Sequence, residues 1–347
     1  MNKPIQLVVA GAGLIGKQHI ERIQLLDETN LLAIVDPAAQ TQALCQELGC
    51  LYFADLDSMF AACQPDGVLL ATPTPLHVAL AETCINHQCP VLIEKPIAIS
   101  TAEAQQIVDS SQASQVPVLI GHHRRHSPLI QSAKELIVAG EIGQIRALNM
   151  QCWLYKPDDY FEVAPWRKRK GAGPLSVNLV HDIDLARYLC GEVICVHTMS
   201  HQSSRGFENE DTAAAVLKFN TGVVATVSVS DSIVSPWSWE MTARENTAYP
   251  QVQQSSYQIG GSHGSLSVPD LTLWHNNGER SWWNPMCASN PVLSFADPLV
   301  NQLKHFCQVI AGTVPPLVSA EEGLKSLRVI EALQQSAVEQ RTITIEQ

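Results

Sequence analysis

Between an apolar run at residues 5–10 and an amphipathic run at 17–26, the chain reads Gly11-Ala12-Gly13-Leu14-Ile15-Gly16. A G-x-G-x-x-G spacing with a strand before it and a helix after it constrains the fold strongly. Gly11 allows a tight turn, Gly13 lets the backbone approach a pyrophosphate, and Gly16 lets helix and strand pack closely. Leu14 and Ile15 stand at the start of that helix, whose free N–H groups and positive dipole favour phosphate. The next apolar run, 31–35, ends in Asp36, 20 residues after Gly16. A carboxylate there hydrogen-bonds a ribose diol and repels a 2′-phosphate, so NAD is expected rather than NADP. Pro37-Ala38-Ala39 follows and brings no basic residue. Asp36 also reads as an ordinary turn residue. S-adenosylmethionine is the competing ligand, because it too is held by a glycine turn and an acidic strand end.

Two further apolar runs end in polar clusters before a helical stretch, and a third ends in one. Residues 67–71 lead into Thr72-Pro73-Thr74-Pro75-Leu76-His77 and a helix over 78–86; residues 90–93 lead into Glu94-Lys95-Pro96 and a helix over 101–111. Residues 116–120 lead into Gly121-His122-His123-Arg124-Arg125-His126. Strands alternating with helices predict a doubly wound parallel sheet, with chemistry gathered at the carboxyl ends of its strands. Pro96 stops the run before it and leaves Lys95 at such an end. A partly desolvated lysine there can polarise a substrate hydroxyl; the plainer reading is a solvated lysine paired to Glu94. His122, His123 and His126 fall on a strand end without a nearby acidic or cysteine ligand. They are read as a polar cluster at the domain boundary, and no metal is expected.

At 347 residues the chain exceeds the size at which one core keeps growing, so two domains are expected. No apolar run reaches the roughly 18 residues of a membrane span, and the apolar start is too short for a signal peptide. The net charge of −12 disfavours nucleic acid and anionic membranes as partners. The 10 cysteines are scattered without zinc or redox spacing, as expected of small buried hydrophobes in a reduced cytoplasm.

After a helix over 128–139, the pattern turns extended at 145–155, 193–200, 212–219, 223–230, 264–268 and 271–275. Signals such as Asn220-Thr221-Gly222 mark antiparallel turns. One helix, about 176–189, interrupts these strands, with Leu175, Leu179, Ile183 and Ala186 forming a stripe for a core. Asn178 and Asp184 each stand three residues from His181, so either can share its face. A carboxylate can fix the tautomer of that imidazole and leave the other nitrogen to accept a proton; a structural histidine is the competing reading. The run Trp153-Leu154-Tyr155-Lys156-Pro157-Asp158-Asp159-Tyr160-Phe161, then Trp166-Arg167 and Lys168-Arg169-Lys170, is rich in groups that stack on rings and bind hydroxyls or carboxylates. A solvated loop is the alternative for the basic run.

Taken together, Gly11-x-Gly13-x-x-Gly16, Thr72-Pro73 with His77, Glu94-Lys95-Pro96, Arg124-Arg125-x-x-Pro128, Trp166-Arg167, the 171–184 segment and Gly264-Ser265-Leu266-Ser267-Val268-Pro269 resemble the Gfo/Idh/MocA oxidoreductases over nearly the whole chain. The resemblance implies a Rossmann domain, 1–124, followed by a substrate and oligomerisation domain, 125–347. The second would be built on a large, open, mostly antiparallel sheet through which dimers or tetramers form. Helices at 298–311 and 320–335 are expected to fold back on the first domain.

It also implies hydride transfer between a nicotinamide and a hydroxyl-bearing carbon of a small polyhydroxylated substrate. Lys95 would polarise the substrate oxygen, and His181 would be the general acid–base. Thr72, Pro73, His77, Glu94 and Lys95 would join the glycines and Asp36 around the cofactor. Arg124, Tyr155, Trp166, Arg167, Asn178 and Asp184 would join Lys95 and His181 at the substrate. One departure stands out: many members carry an aspartate four residues before the histidine, where this chain has Val177. Asn178 or Asp184 would have to take over its role. A sugar, sugar acid or cyclitol is the expected substrate. A second reading is a dihydrodiol carboxylate from aromatic breakdown, after the branch that Trp153 to Phe161 and Asn178 to Asp182 resemble. Val177 also admits a catalytically silent NAD-binding sensor, and a methyltransferase is a distant third.

Overall fold

The computed structural model describes residues 3–346. It divides into two compact units: one holds the chain up to His123 together with Leu299–Leu327, the other Arg124–Pro298 and the chain from Arg328 on. A division at 124/125 is contiguous; the observed packing is not, because one stretch near the carboxyl end clusters with the first unit.

In the first unit β1 (Ile5–Ala10), α1 (Leu14–Leu25), β2 (Thr29–Val35), α2 (Gln40–Leu48), β3 (Leu51–Phe53), α3 (Leu56–Ala62), β4 (Gly67–Leu70), α4 (His77–Asn86), β5 (Val91–Ile93), α5 (Thr101–Ser114) and β6 (Val118–Ile120) alternate along the chain. The strands make a parallel six-stranded sheet in the order β3-β2-β1-β4-β5-β6. This is the doubly wound order, with its switch point between β1 and β4. Central strands buried on both faces need unbroken apolar runs, and Leu7, Val8, Val9, Val68, Leu69 and Leu70 are all fully buried.

The later chain completes this unit. Helix α11 (Pro298–Ile310) lies so close to the start of β4 that a Cβ on Gly67 would stand 2.6 Å from Ile310 and 3.0 Å from Phe306. The open edge of β6 is covered by the segment before α12 (Ala320–Glu339): Ile120 N–H donates to Val318 O at 2.8 Å. Covering an edge satisfies its unpaired amides and blocks pairing with another chain.

The second unit holds α6 (Pro128–Val138), β7 (Ile145–Trp153), α7 (Asp158–Glu162), α8 (Pro174–Val177), α9 (Leu179–Cys190), β8 (Val193–Gln202), β9 (Glu210–Phe219), β10 (Val224–Ser230) and α10 (Trp239–Thr242). There follow β11 (Tyr257–Gly261), β12 (Gly264–Val268), β13 (Leu273–Asn276), β14 (Met286–Ser289) and β15 (Ile343–Thr344). Its nine strands run β14-β13-β12-β11-β7-β10-β9-β8-β15, antiparallel except for β7 beside β10. Burial alternates along β9, so one face of the sheet meets a core while the other is open. Helix α9 belongs to that core, with Leu179, Val180, Ile183, Leu185 and Ala186 all at most 2% exposed.

Three differences from the sequence pattern have local causes. The expected helix over 176–189 is two helices parted at Asn178, because Pro174 starts an early turn. Strand β11 pairs with both β7 and β12 yet gave no strand signal, since Gln258, Gly260 and Gly261 read as turn residues. Strand β3 has only 3 residues, too few for a periodicity.

Candidate functional site

The glycines of the first turn answer to different demands. Gly11 has φ +96°, and a Cβ there would meet Ala71 O at 2.5 Å; one on Gly16 would meet Gly11 O at 1.9 Å. The protein itself needs both to be glycine. Apart from its immediate chain neighbours, no described protein atom lies within 4 Å of where a Cβ on Gly13 would stand. Nothing in this unit requires a glycine there, whereas a ligand phosphate against the backbone would. Helix α1 starts beside it with no side-chain cap and no acidic residue in its first turn, leaving its first amides to an anion. Asp36, half-buried at the exit of β2, accepts from Ala12 N–H at 2.7 Å and Ala38 N–H at 2.8 Å. Each carboxylate oxygen keeps a second lone pair for a ribose hydroxyl. The cradle fits a dinucleotide.

Thr72, Pro73 and His77 stand beyond the next strand of this edge, β4, and Glu94 and Lys95 beyond β5. Two of these side chains face protein, which corrects the expectation that they contact cofactor. His77 is 1% exposed; its Nε2 stands 3.0 Å from Thr72 O and its Nδ1 3.0 Å from Pro96 O. It staples one strand exit to the next. Glu94 is 6% exposed, with Oε1 accepting from His19 Nε2 at 2.8 Å and Oε2 from Lys95 N–H at 3.2 Å. Lys95 itself is half-buried and leads into a cis peptide with Pro96. Burial opposes the charge of Glu94, but the His19 hydrogen bond and the charges of His19, His123 and Lys95 outweigh it and hold the carboxyl below its ordinary value.

In the second unit His181 sits in the first turn of α9, 8% exposed, with its N–H on Asn178 O at 3.2 Å. Asn178 breaks the helix and turns its Oδ1 to Lys156 Nζ, which donates to it at 2.6 Å. The Lys156 ammonium is buried (7% exposed), 3.9 Å from Asp231 and 5.0 Å from the centre of the Tyr160 ring. Arg205 closes this group, donating to Asp231 Oδ1 at 3.0 Å and to Lys156 O at 2.9 Å. Burial raises the Asp231 carboxyl, against the pull of Lys156 and Arg205. Arg167 lies 3.9 Å over the Tyr160 ring and donates to Tyr160 O. Tyr155 and Trp166 are exposed, at 46% and 56%. Of the basic run, Arg169 is paired with Glu208 at 2.5 Å, so its charge is already balanced.

Arg124 and Asp184, expected at the substrate, are built into the framework instead. Arg124 is 3% exposed and donates to Glu240 at 2.7 Å and to Asp182 and Tyr257 at 3.3 Å. Burial pushes the Asp182 carboxyl up to about 6 despite that arginine. Asp184, 1% exposed, takes both donors of an Arg125 fork at 2.8 Å. A buried charge without its partner is costly, so such forks come as a unit. Val177 is half-buried at the end of α8. Among the described residues no group of three or more His, Cys, Asp or Glu is placed to hold a metal ion.

Two residues stand out that the sequence reading did not single out, Lys156 having been read only as part of the 153–161 run. Lys156 had a signal: Lys156-Pro157 follows β7 as Lys95-Pro96 follows β5. His19 was a polar residue on the buried stripe of α1, with Gly16, Ile20 and Ile23.

Residues 5–122 match the family described as an oxidoreductase family with an NAD-binding Rossmann fold, and residues 130–267 match the GFO/IDH/MocA C-terminal domain. Among similar proteins, myo-inositol 2-dehydrogenase of Thermotoga maritima is 24% identical, covering 99% of this chain and 99% of its own. D-apiose dehydrogenase of Paraburkholderia graminis is 24% identical over 96% of this chain and 88% of its own. In fold, the chain is like an Agrobacterium radiobacter oxidoreductase solved with NAD+, L-tartaric acid and magnesium. The TM-score is 0.83 at 20% identity, over 99% of this chain and 98% of that one.

Proposed function

The chain belongs to the Gfo/Idh/MocA oxidoreductases, and on that premise we propose that it is an NAD-dependent dehydrogenase acting on a hydroxyl-bearing carbon of a sugar, sugar acid or cyclitol. The observation that carries this reading is the cradle at the exit of β1: Gly13 is left open while Gly11 and Gly16 are filled by protein, with Asp36 beside them. When bound, NAD supplies the hydride acceptor. The amides at the start of α1 hold its phosphates, and Asp36 holds its adenosine ribose.

The Lys95 ammonium donates to the substrate oxygen and steadies negative charge as it develops. His181 takes the hydroxyl proton in oxidation and returns it in reduction. Lys156 and Asn178 bind substrate as well, Val177 standing where many family members have an aspartate. Tyr155, Trp166 and Arg167 line the approach, offering rings to a sugar face and a guanidinium to a carboxylate. The buried Lys156 ammonium and Arg167 also favour a second substrate class, a dihydrodiol or hydroxy acid bearing a carboxylate. Val177 favours a second reading of another kind, an NAD-binding sensor without turnover.

The deciding experiment is a screen of sugars, sugar acids, cyclitols and cis-dihydrodiol carboxylates for formation of reduced nicotinamide. Turnover of one class is expected. Silence across the panel, with NAD binding measured separately, would transfer the weight to the sensor or to a substrate outside these classes. In the same assays, Asp36→Ala should weaken NAD about tenfold or more and narrow its advantage over NADP, since a charge-assisted hydrogen bond is lost. An unchanged cofactor ratio would refute the ribose assignment.

The open face of the nine-stranded sheet exposes Met199, Val216 and Val224 at 74%, 48% and 46%; apolar groups of this kind support a dimer or tetramer through that face. The 10 cysteines are all unbridged, which supports a cytoplasmic enzyme. No helix among the described residues is long and apolar enough to cross a membrane.

A further inference from the structure

The Lys95 strap is held from behind by a buried pair that no substrate would reach. His19, one turn into the helix that opens at the glycine cradle, is 1% exposed, and its Nε2 donates to Glu94 Oε1 at 2.8 Å. A carboxylate only accepts, so the ring carries its proton on Nε2. The other carboxylate oxygen accepts from the backbone N–H of Lys95 at 3.2 Å. One carboxylate thus ties helix α1 to the residue that carries the ammonium. The room for it is made by a third element: a Cβ on Gly121, just past β6, would stand 3.0 Å from the Glu94 carboxyl carbon and from Oε2. His77 fastens the far side of the same strap through Pro96 O.

We infer that His19 and Glu94 are a positioning pair for Lys95, setting the direction and charge of its ammonium without touching substrate or cofactor. Packing alone explains the apolar side chains on this face of α1, Ile20 and Ile23. It does not explain a histidine there whose proton is aimed at a carboxylate, nor a glycine on a neighbouring strand that makes space for that carboxylate. The electrostatic part has a definite sign. The attraction that helps keep Glu94 ionised acts equally on the Lys95 ammonium, with His19 and His123 the other groups acting on the carboxylate. Loss of the Glu94 charge therefore makes Lys95 easier to deprotonate.

The inference rests on the assignment of Lys95 to the substrate oxygen, and the test separates the two. His19→Ala, His19→Gln, Glu94→Gln and Lys95→Ala are compared with the unaltered protein for kcat, KM of substrate, NAD affinity and the pH profile of kcat. His19→Ala should lower kcat about ten- to a hundredfold with NAD affinity within about twofold. His19→Gln, whose amide places a donor near the position of Nε2, should recover most of the loss. Glu94→Gln should move the alkaline limb of the kcat profile to lower pH. A role in folding alone would lower Tm and leave kcat and the limb where they were, and that outcome overturns the inference. Should His19→Ala fail to fold, His19→Gln and Glu94→Gln decide by the same readouts. If Lys95→Ala keeps near-normal turnover, the Lys95 assignment falls. If Lys95→Ala is inactive while the pair variants turn over normally with an unmoved limb, only the positioning role falls.

Discussion

Lys95→Ala is expected to lower kcat by about 10²–10³-fold while the Kd for NAD stays within about twofold. Removing a single donor aimed at developing negative charge has an effect of that size. Lys95 follows a fully buried strand end, is half-buried as a residue, and has its backbone N–H fixed by Glu94. The phosphate and ribose contacts proposed for Gly13, the start of α1 and Asp36 involve other residues, so NAD affinity should be spared. The effect should therefore fall on kcat rather than on binding. Steady-state kinetics with the best substrate of the screen, beside a titration of NAD by fluorescence, reads both quantities. Near-normal turnover would remove Lys95 from the chemistry. A large loss of NAD affinity instead would make it a cofactor ligand.

His181→Asn is expected to cost about 10²–10⁴-fold in kcat, the range of a positioned general base. Asparagine keeps a polar side chain of similar reach from the first turn of α9 and cannot take a proton. The deficit should shrink as pH rises, because solvent base then removes the proton that the imidazole would have taken. Kinetics across a pH series gives the answer, with NAD affinity as the control. If turnover and profile match the unaltered protein, proton transfer belongs to another group. The buried Lys156 beside Asn178 would then be the residue to alter next.

The two results bear on Val177 together. Of the two residues expected to take over the role of an acid at that position, Asn178 is engaged by Lys156 and both oxygens of Asp184 by the Arg125 fork. Turnover with this arrangement would accord with the proposed role of the Lys156–Asn178 pair at the substrate. Silence in the screen with NAD binding intact would instead favour the sensor or a substrate outside the panel.

Much of the dinucleotide half was legible from one dimension. The glycine turn, Asp36 and Lys95 all fall within a few residues of apolar runs that bury on both faces, and chain order alone places them at the ends of parallel strands. Six strands of the large open sheet were legible as extended runs, whereas glycines hid β11, and β14 and β15, of 4 and 2 residues, are too short to show a pattern. Side-chain partnership was not legible in the same way. Nothing local to Arg124, Asp184, His77 or Glu94 tells whether its charge or ring faces a ligand or another part of the chain. Each reads as a polar residue in a promising motif.

The amino-acid sequence by itself determined the family, the fold class and the cofactor, because backbone demands and strand order are written in short-range pattern. Tertiary structure alone decided which polar groups of the motifs are spent inside the protein. Arg124 reaches Glu240 across 116 positions and Glu94 reaches His19 across 75. Burying a charge is tolerated only when such a distant partner arrives. Whether it arrives depends on how strands and helices stack, and that same stacking turned Glu94 from an expected cofactor ligand into the support behind Lys95.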